Sequence, residues 1–352
     1  MLNDFTKILL RWHKRNPRPM PWKTTKDPYK IWLSEVILQQ TRVDQGIGYY
    51  KCILERFPSV DHLALAAEDE VMRHWVGLGY YSRARNLHAA AKQIYFEQGG
   101  IFPTTYSGLL ELKGVGQYSA AAISSFAFGL PHAVVDGNVC RILARYFGIQ
   151  ELPGSSKGQK IFIALANELL DKRDPGNYNQ AIMNYGALVC KPAAPDCLIC
   201  DLRKGCFAYT HNSIKNFPAR KKKKEKLIRW FNYLVLEDET HLIIRKRVAE
   251  DIWRGLYEFP LIETEKHYTV SEVKTFFQQQ NFLLTDKVMV MQASNLIKQE
   301  LTHQRIRAQF LRVHLSFHSG HFNNSDLKIK KNELKYLPFP KVIENYLKSL
   351  LY

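Results

Sequence analysis

Four of the six cysteines of this chain crowd into one short segment, Cys190-x6-Cys197-x2-Cys200-x5-Cys206. Thiols spaced like this are metal ligands and not a secreted disulfide framework. The segment must therefore close as one loop around one centre. Four soft sulfurs suit an iron–sulfur cluster or zinc, and the spacing alone does not choose between them. Cys52 and Cys140 are isolated. The 352 residues suffice for two domains, and the net charge of +17 favours a polyanionic partner held by counterion release. Residues 1–10 include Asp4 and Lys7 and run into Arg11, His13, Lys14 and Arg15, so no clean signal-peptide core is present. No apolar run is long enough to span a bilayer. The expected location is intracellular.

Residues 1 to about 208 read as helical, with apolar residues at helical spacing in Phe5-Ile8-Leu9-Trp12 and Ile161-Ala164-Leu165-Leu169. Asp27-Pro28 starts a helix that is apolar on most sides and carries one acid, Glu35, on the face of Ile31 and Leu38. Loss of hydration raises the pKa of such a carboxyl and suits it to general acid work, although a Glu paired with an Arg at a helix rim reads the same way. Gly77-Leu78-Gly79-Tyr80-Tyr81-Ser82-Arg83 interleaves aromatic and basic residues, as unstacked nucleic acid requires. A turn leading into an amphipathic helix is the plainer alternative.

Leu112-Lys113-Gly114-Val115-Gly116-Gln117-Tyr118-Ser119-Ala120 places two glycines before an Ala/Ser-rich helix. The free N–H groups and dipole of that helix make the turn an anion seat. The pattern has the shape of a helix-hairpin-helix, which holds the DNA backbone at Gly114, Val115 and Gly116 without reading sequence. Val134-Val135-Asp136-Gly137-Asn138 follows. Asp136 alone reads as a helix cap. Paired with Glu35, it can divide the work of breaking a glycosidic bond, one group protonating the leaving group and the other supporting the sugar cation.

On these motifs the chain resembles the endonuclease III, helix-hairpin-helix superfamily of DNA glycosylases, and within it the MutY family of adenine DNA glycosylases. Pro21-Trp22, Trp32-Leu33-Ser34-Glu35-Val36, Leu38-Gln39-Gln40-Thr41, the Gly77–Arg83 segment and Asp136-Gly137-Asn138-Val139 carry the likeness, which covers nearly the whole chain. It implies a 4Fe–4S cluster on Cys190, Cys197, Cys200 and Cys206. It implies that Glu35 protonates N7 of a flipped adenine and that Asp136 stabilises the cation at C1′, with Tyr118 and Asn138 holding the geometry. Trp22, Lys23, Leu38 and Gln180 are then base contacts, and Gln40 and Tyr80 wedge into the stack. Lys23 and Lys113 depart from the arginine and proline common at their positions. Tyr118 stands where strand-cutting relatives have a Schiff-base lysine, so base removal should leave an abasic site.

After a basic linker over 209–228 the pattern becomes short strands, with a hairpin at Glu237-Asp238-Glu239 and alternation over 306–317 that places Leu311, Val313, Leu315 and Phe317 on one face. Val342, Ile343, Tyr346, Leu347 and Leu350 form a last amphipathic helix. Trp253-Arg254-Gly255-Leu256-Tyr257-Glu258-Phe259-Pro260 resembles the Nudix-like domain of the same family, without the metal-binding Nudix box, so nucleoside diphosphate hydrolysis should be absent. Leu301-Thr302-His303 stands where the family reads 8-oxoguanine with Phe-Ser-His. The expected fold is a mainly α N-terminal half (1–208) and an α+β Nudix-like C-terminal domain (229–352). The expected protein is a monomer acting on double-stranded DNA that carries adenine opposite 8-oxoguanine or guanine. A thymine mismatch glycosylase, an oxidised-pyrimidine endonuclease and a catalytically silent DNA-binding iron–sulfur module are the rivals.

Overall fold

The computed structural model describes residues 2–221, 225–272, 275, 289–314 and 326–351. Part of the basic linker run (Lys222–Lys224) and two positions of the alternating strand (Leu315 and Phe317) lie outside the described residues, as does the side chain of Leu350. The chain divides into two compact units: residues 1–65 with 86–222, and residues 66–85 with 223–352.

The first unit is helical. It contains α1 (Leu2–Arg15), α2 (Pro28–Leu38), α3 (Val43–Arg56) and α4 (Val60–Leu65). It continues with most of α6 (Ser82–Lys92), then α7 (Tyr106–Leu110), α8 (Gln117–Phe128), α9 (Gly137–Phe147), α10 (Ser156–Leu169), α11 (Pro175–Leu188) and the short α12 (Phe207–Thr210). Local chemistry marks the starts. Asp27 accepts from Tyr29 N at 2.9 Å with Pro28 in the first turn of α2, and Asp174 accepts from Asn177 N ahead of Pro175 in α11. Ala120, Ala121 and Ala122 on α8 are buried and let α2 approach closely. Phe5 packs edge-on against Tyr146, and Trp12 against Tyr185, with centroids 4.8 and 4.7 Å apart.

Among the described residues the second unit is built on an eight-stranded sheet: β1 (Leu227–Glu237), β2 (His241–Lys246), β3 (Tyr257–Glu258), β4 (Leu261–Thr264), β5 (Met289–Ala293), β6 (Ile297–Glu300), β7 (Gln304–His314) and β8 (Asp326–Lys330). The main path runs β3-β2-β1-β7-β5. β1 and β7 are parallel in register from Leu227↔Gln304 to Glu237↔His314. Asp238 closes the predicted hairpin by accepting from Thr240 N and His241 N. β7 differs from the one-faced alternation expected of it, because Ala308, Gln309, Phe310 and Leu311 are all buried. It is a central strand, and α13 (Lys341–Leu351) covers one face by stacking Tyr346 on Phe310 at 3.9 Å.

The expected continuous boundary near 209–228 is interrupted by an earlier segment. Residues 66–85, which include α5 (Glu68–Trp75), belong with the sheet. Asp69 accepts from Lys246 Nζ at 2.6 Å and from Tyr257 OH at 2.7 Å, and Arg85 donates to the carbonyl of Arg254. An amphipathic helix shows in its sequence that it has an apolar face but not what covers it. The described residues contain no helix long and apolar enough to cross a membrane.

Candidate active site

Helix α2 buries Glu35 almost completely, with 4% of its surface exposed. Its Oε2 accepts from Tyr118 OH, 2.6 Å away on the first turn of α8. Burial pushes the Glu35 pKa up to about 7; the Tyr118 hydrogen bond opposes that shift and the charge of Asp136 adds to it. Burial and the two carboxylates together hold the Tyr118 phenol well above its ordinary value. A cavity of about 340 Å³ opens on Glu35, with Trp22, Lys23 and Gln180 also in its wall. Trp22 sits in the turn Pro21–Lys23 and packs edge-on against Tyr50. Lys23 donates to the carbonyl of Arg18 at 3.0 Å, and desolvation, then the charge of Arg18, lowers its pKa to about 8. Leu38 ends α2 packed against Gly46, outside that wall.

Tyr118 also faces a second cavity, of about 780 Å³, lined by Gly114, Gly116, Asp136 and Gly137. Asp136 is the N-cap of α9. Its Oδ1 accepts from Val139 N and its Oδ2 from Asn138 Nδ2, both at 2.7 Å. Burial pushes its pKa up, while these two donors, and Arg141 more weakly, pull it back. The helix dipole of α9 also favours the anion. Glu35 and Asp136, distant in the chain, thus both act on the Tyr118 hydroxyl and lie within electrostatic reach of each other.

The hairpin turn has the backbone its sequence implied. Gly114 has φ +76°, and a side chain there would strike Asn86. Gly116 is the N-cap of α8 and faces open space. Val115 is buried, so it anchors the turn by its side chain and leaves only backbone to a ligand. The first N–H groups of α8 lack helical acceptors, and Gln117, Tyr118 and Ser119, which carry them, line the second cavity.

Residues 33–167 match the HhH-GPD superfamily of base excision DNA repair proteins, and residues 232–349 match the NUDIX domain. The adenine DNA glycosylase of Buchnera aphidicola subsp. Acyrthosiphon pisum is 30% identical across 98% of both chains. The chain belongs to the adenine DNA glycosylase family. It is a DNA glycosylase. Among solved structures, a thermostable thymine-DNA glycosylase superposes with a TM-score of 0.56 at 27% identity over 60% of this chain and 97% of its own. A non-covalent endonuclease III–DNA complex shares the fold, with a TM-score of 0.53 at 20% identity over 60% of this chain and 98% of its own.

In this glycosylase the two residues expected to wedge into DNA share an unusual backbone. Gln40 has φ +58° and Tyr80 φ +47°, and both are exposed. Non-glycine residues held this way cost about 1–3 kcal/mol each and cluster at functional sites. Around Tyr80, Arg83 braces the turn by donating to the carbonyls of Leu78 and Gly79 at 3.2 Å. Thr302 and His303 form the exposed tip of the β6–β7 hairpin, closed by Leu301 N on the carbonyl of Gln304 at 2.9 Å. The Tyr80 and Thr302 hydroxyls are hydrogen-bonded to each other within the second unit.

The cysteine loop is tied to α9 by two arginines. Arg145 donates to Cys190 Sγ at 3.3 Å and to the carbonyls of Lys191, Pro192 and Phe217. Arg141 donates to the carbonyls of Cys190 and Gly186, both at 2.7 Å, and to Asn138 Oδ1 at 2.8 Å, so one guanidinium joins the loop to the Asp136 turn. The four cysteines line one cavity of about 30 Å³. No group of three or more His, Cys, Asp or Glu among the described residues is gathered as for a single ion. Four sulfurs around one cavity, with a guanidinium on one and the Tyr185 hydroxyl 3.1 Å from another, are a donor set that fits a thiolate-held centre.

Arg141 and Asn179 are the site residues that motif reading left without a role. Asn179 is fully buried and holds the strand-like run before Asp136, accepting from Val134 N and donating to the carbonyl of His132. Asn179 is adjacent to Gln180, and an asparagine on the apolar side of α11 was the available signal.

Proposed function

We propose that this enzyme removes adenine placed opposite 8-oxoguanine or guanine in duplex DNA, hydrolysing the N-glycosidic bond and leaving an abasic site. The observation that carries the reading is Glu35, pushed up to about 7, hydrogen-bonded to Tyr118 and within electrostatic reach of Asp136, which caps α9. Leaving the stack costs the base a few kcal/mol, offset by wedge and backbone contacts. The base enters the Glu35 cavity, where Trp22, Lys23, Gln180 and the nearby Leu38 position it. Protonated Glu35 gives its proton to N7. The C1′–N9 bond then breaks, and its electron pair leaves with the base. Asp136 stabilises the C1′ cation, oriented by Asn138 and Val139 N–H. Water adds at C1′ and its proton is lost to the Asp136 carboxylate. Tyr118 offers no amine, so no Schiff base forms and the strand stays intact.

Gly114, Val115 and Gly116 hold a phosphate by backbone N–H groups. Gln40 and Tyr80 fill the stack, and Thr302 and His303 read the opposite base. Cys190, Cys197, Cys200 and Cys206 would hold a 4Fe–4S cluster that supplies structural and DNA-orienting charge. An absorption band at about 400 nm would separate it from zinc.

Base release from defined duplexes tests the whole. Adenine released opposite 8-oxoguanine and guanine, with strand breaks only after alkali, is the expected result. Thymine release from a thymine–guanine pair, or breaks without alkali, overturns it. The thymine reading draws on a neighbour that spans only 60% of this chain, whereas an adenine glycosylase aligns over 98%.

A further inference from the structure

One wall of the Glu35 cavity takes no part in this chemistry. It is formed by His13, on the last turn of α1. The neighbouring Trp12 is packed edge-on against Tyr185, which fixes the backbone here. His13 Nδ1 is shut off from solvent and has no hydrogen-bond partner among the described residues. Buried polar atoms are nearly always paired, so an unpaired one on a side chain that lines a ligand cavity calls for a physical account. Desolvation, then the charge of Lys23, lowers the imidazole pKa, which favours the neutral ring. A neutral imidazole carries one donor and one acceptor nitrogen. Adenine offers the complement along its ring edge, an amino donor beside a ring-nitrogen acceptor. Rotation about Cβ–Cγ exchanges Nδ1 with Cδ2 in nearly the same volume, so the ring has two ways to turn a nitrogen toward a bound base.

We propose that His13 hydrogen-bonds the ring edge of the extruded base and is a specificity-determining residue of this pocket. The proposal rests on the cavity being the base pocket. Glu35 serves N7, and His13 serves an atom of the base that N7 protonation leaves free. A base without the matching atom leaves the imidazole nitrogen unpaired, which is how a polar pocket rejects a near-isostere.

The test is single-turnover excision by wild type, His13→Phe and His13→Gln, on duplexes with 8-oxoguanine opposite four bases. These are adenine, 1-deazaadenine, 3-deazaadenine and purine lacking the 6-amino group. His13→Phe should slow adenine release about tenfold, the worth of one neutral hydrogen bond. That penalty should vanish on the analogue that lacks the contacted atom, and His13→Gln should restore part of the rate on adenine. No penalty on adenine, or an equal penalty on all four bases, overturns the proposal. Should His13→Phe fail to fold, the wild-type to His13→Gln ratio across the four bases decides in the same way. A parallel Glu35→Gln arm separates the two levels. If Glu35→Gln still excises adenine, the pocket reading falls. If it is silent while His13→Phe behaves as wild type, only the role of His13 falls.

Discussion

The Glu35–Tyr118–Asp136 centre and the Thr302–His303 hairpin tip are built on opposite principles. In the first, three helices supply the groups, α2, α8 and α9, and a buried asparagine and arginine fix the turn that leads into Asp136. In the second, two exposed side chains stand on a four-residue turn held by the strand ladder. Burial alters pKa and strengthens electrostatics, which chemistry needs. An exposed tip does neither, but it can meet a partner at little desolvation cost. The teaching is that changes in the centre should act on rate and by orders of magnitude. Changes at the tip should act on selection and by small factors.

The largest effect belongs to Asp136→Asn. Asparagine caps a helix as well as aspartate, so α9 should survive. Loss of the charge beside C1′ should slow single-turnover adenine release on the order of 10³-fold or more. A variant that keeps its melting temperature and most of its rate would remove Asp136 from the chemistry.

Glu35→Gln should come next, with a loss of about 10²–10⁴-fold. It carries a second, independent signature. The pKa of Glu35 lies at about 7 in the folded protein against an ordinary 4.5. A raised value means that its stabilisation is present below the unfolded value and is lost as pH rises through about 7. Glutamine keeps an acceptor for Tyr118 OH and has no charge to desolvate. The variant should therefore gain stability over wild type between pH 4.5 and 8, by on the order of 3 kcal/mol at the upper end. Denaturant unfolding at both pH values measures this, and a pH-independent difference would contradict a desolvated carboxyl.

The same ionisation shapes the wild-type rate. The active form carries Glu35 protonated, so adenine release should fall as pH rises through about 7, approaching tenfold per unit above it. Protonation of Asp136 should form the opposite, acid limb. Stopped single turnovers from pH 5 to 9 follow both limbs, and a flat profile above pH 7 would exclude Glu35 as the acid.

This contrast also explains what could be seen in advance. Glu35 stands out because it is the only acid on an apolar helix, and Asp136 because it follows a hairpin motif. Both signals are local. Arg141 and Asn179 bind mostly backbone atoms distant in sequence, and a backbone carbonyl has no side-chain identity to match. Residues 66–85 show an amphipathic helix and a glycine turn but not that Asp69 would be bonded by strand residues 177 and 188 positions later. The mainly α half and the α+β half were legible from periodicity. The burial of β7 on both faces was not, since its centrality depends on parallel pairing with β1.

The smallest effect sharpens the other side of the comparison. His303→Ala should leave adenine release opposite 8-oxoguanine within a few-fold of wild type, and narrow its preference over adenine opposite guanine by about three- to tenfold. The turn does not depend on the imidazole, because Leu301 N donates to the Gln304 carbonyl and Leu227 N to the His303 carbonyl. The substitution therefore removes a reading group and leaves the hairpin standing. Thr302, bonded to Tyr80, remains to contact the opposite base, which is why some preference should survive. Rates on the two duplexes, taken as a ratio, cancel any general loss of DNA binding. An unchanged ratio would mean that His303 does not read the lesion. A collapse of rate on both duplexes would mean that the tip belongs to the chemistry and that the division between the two regions is wrong.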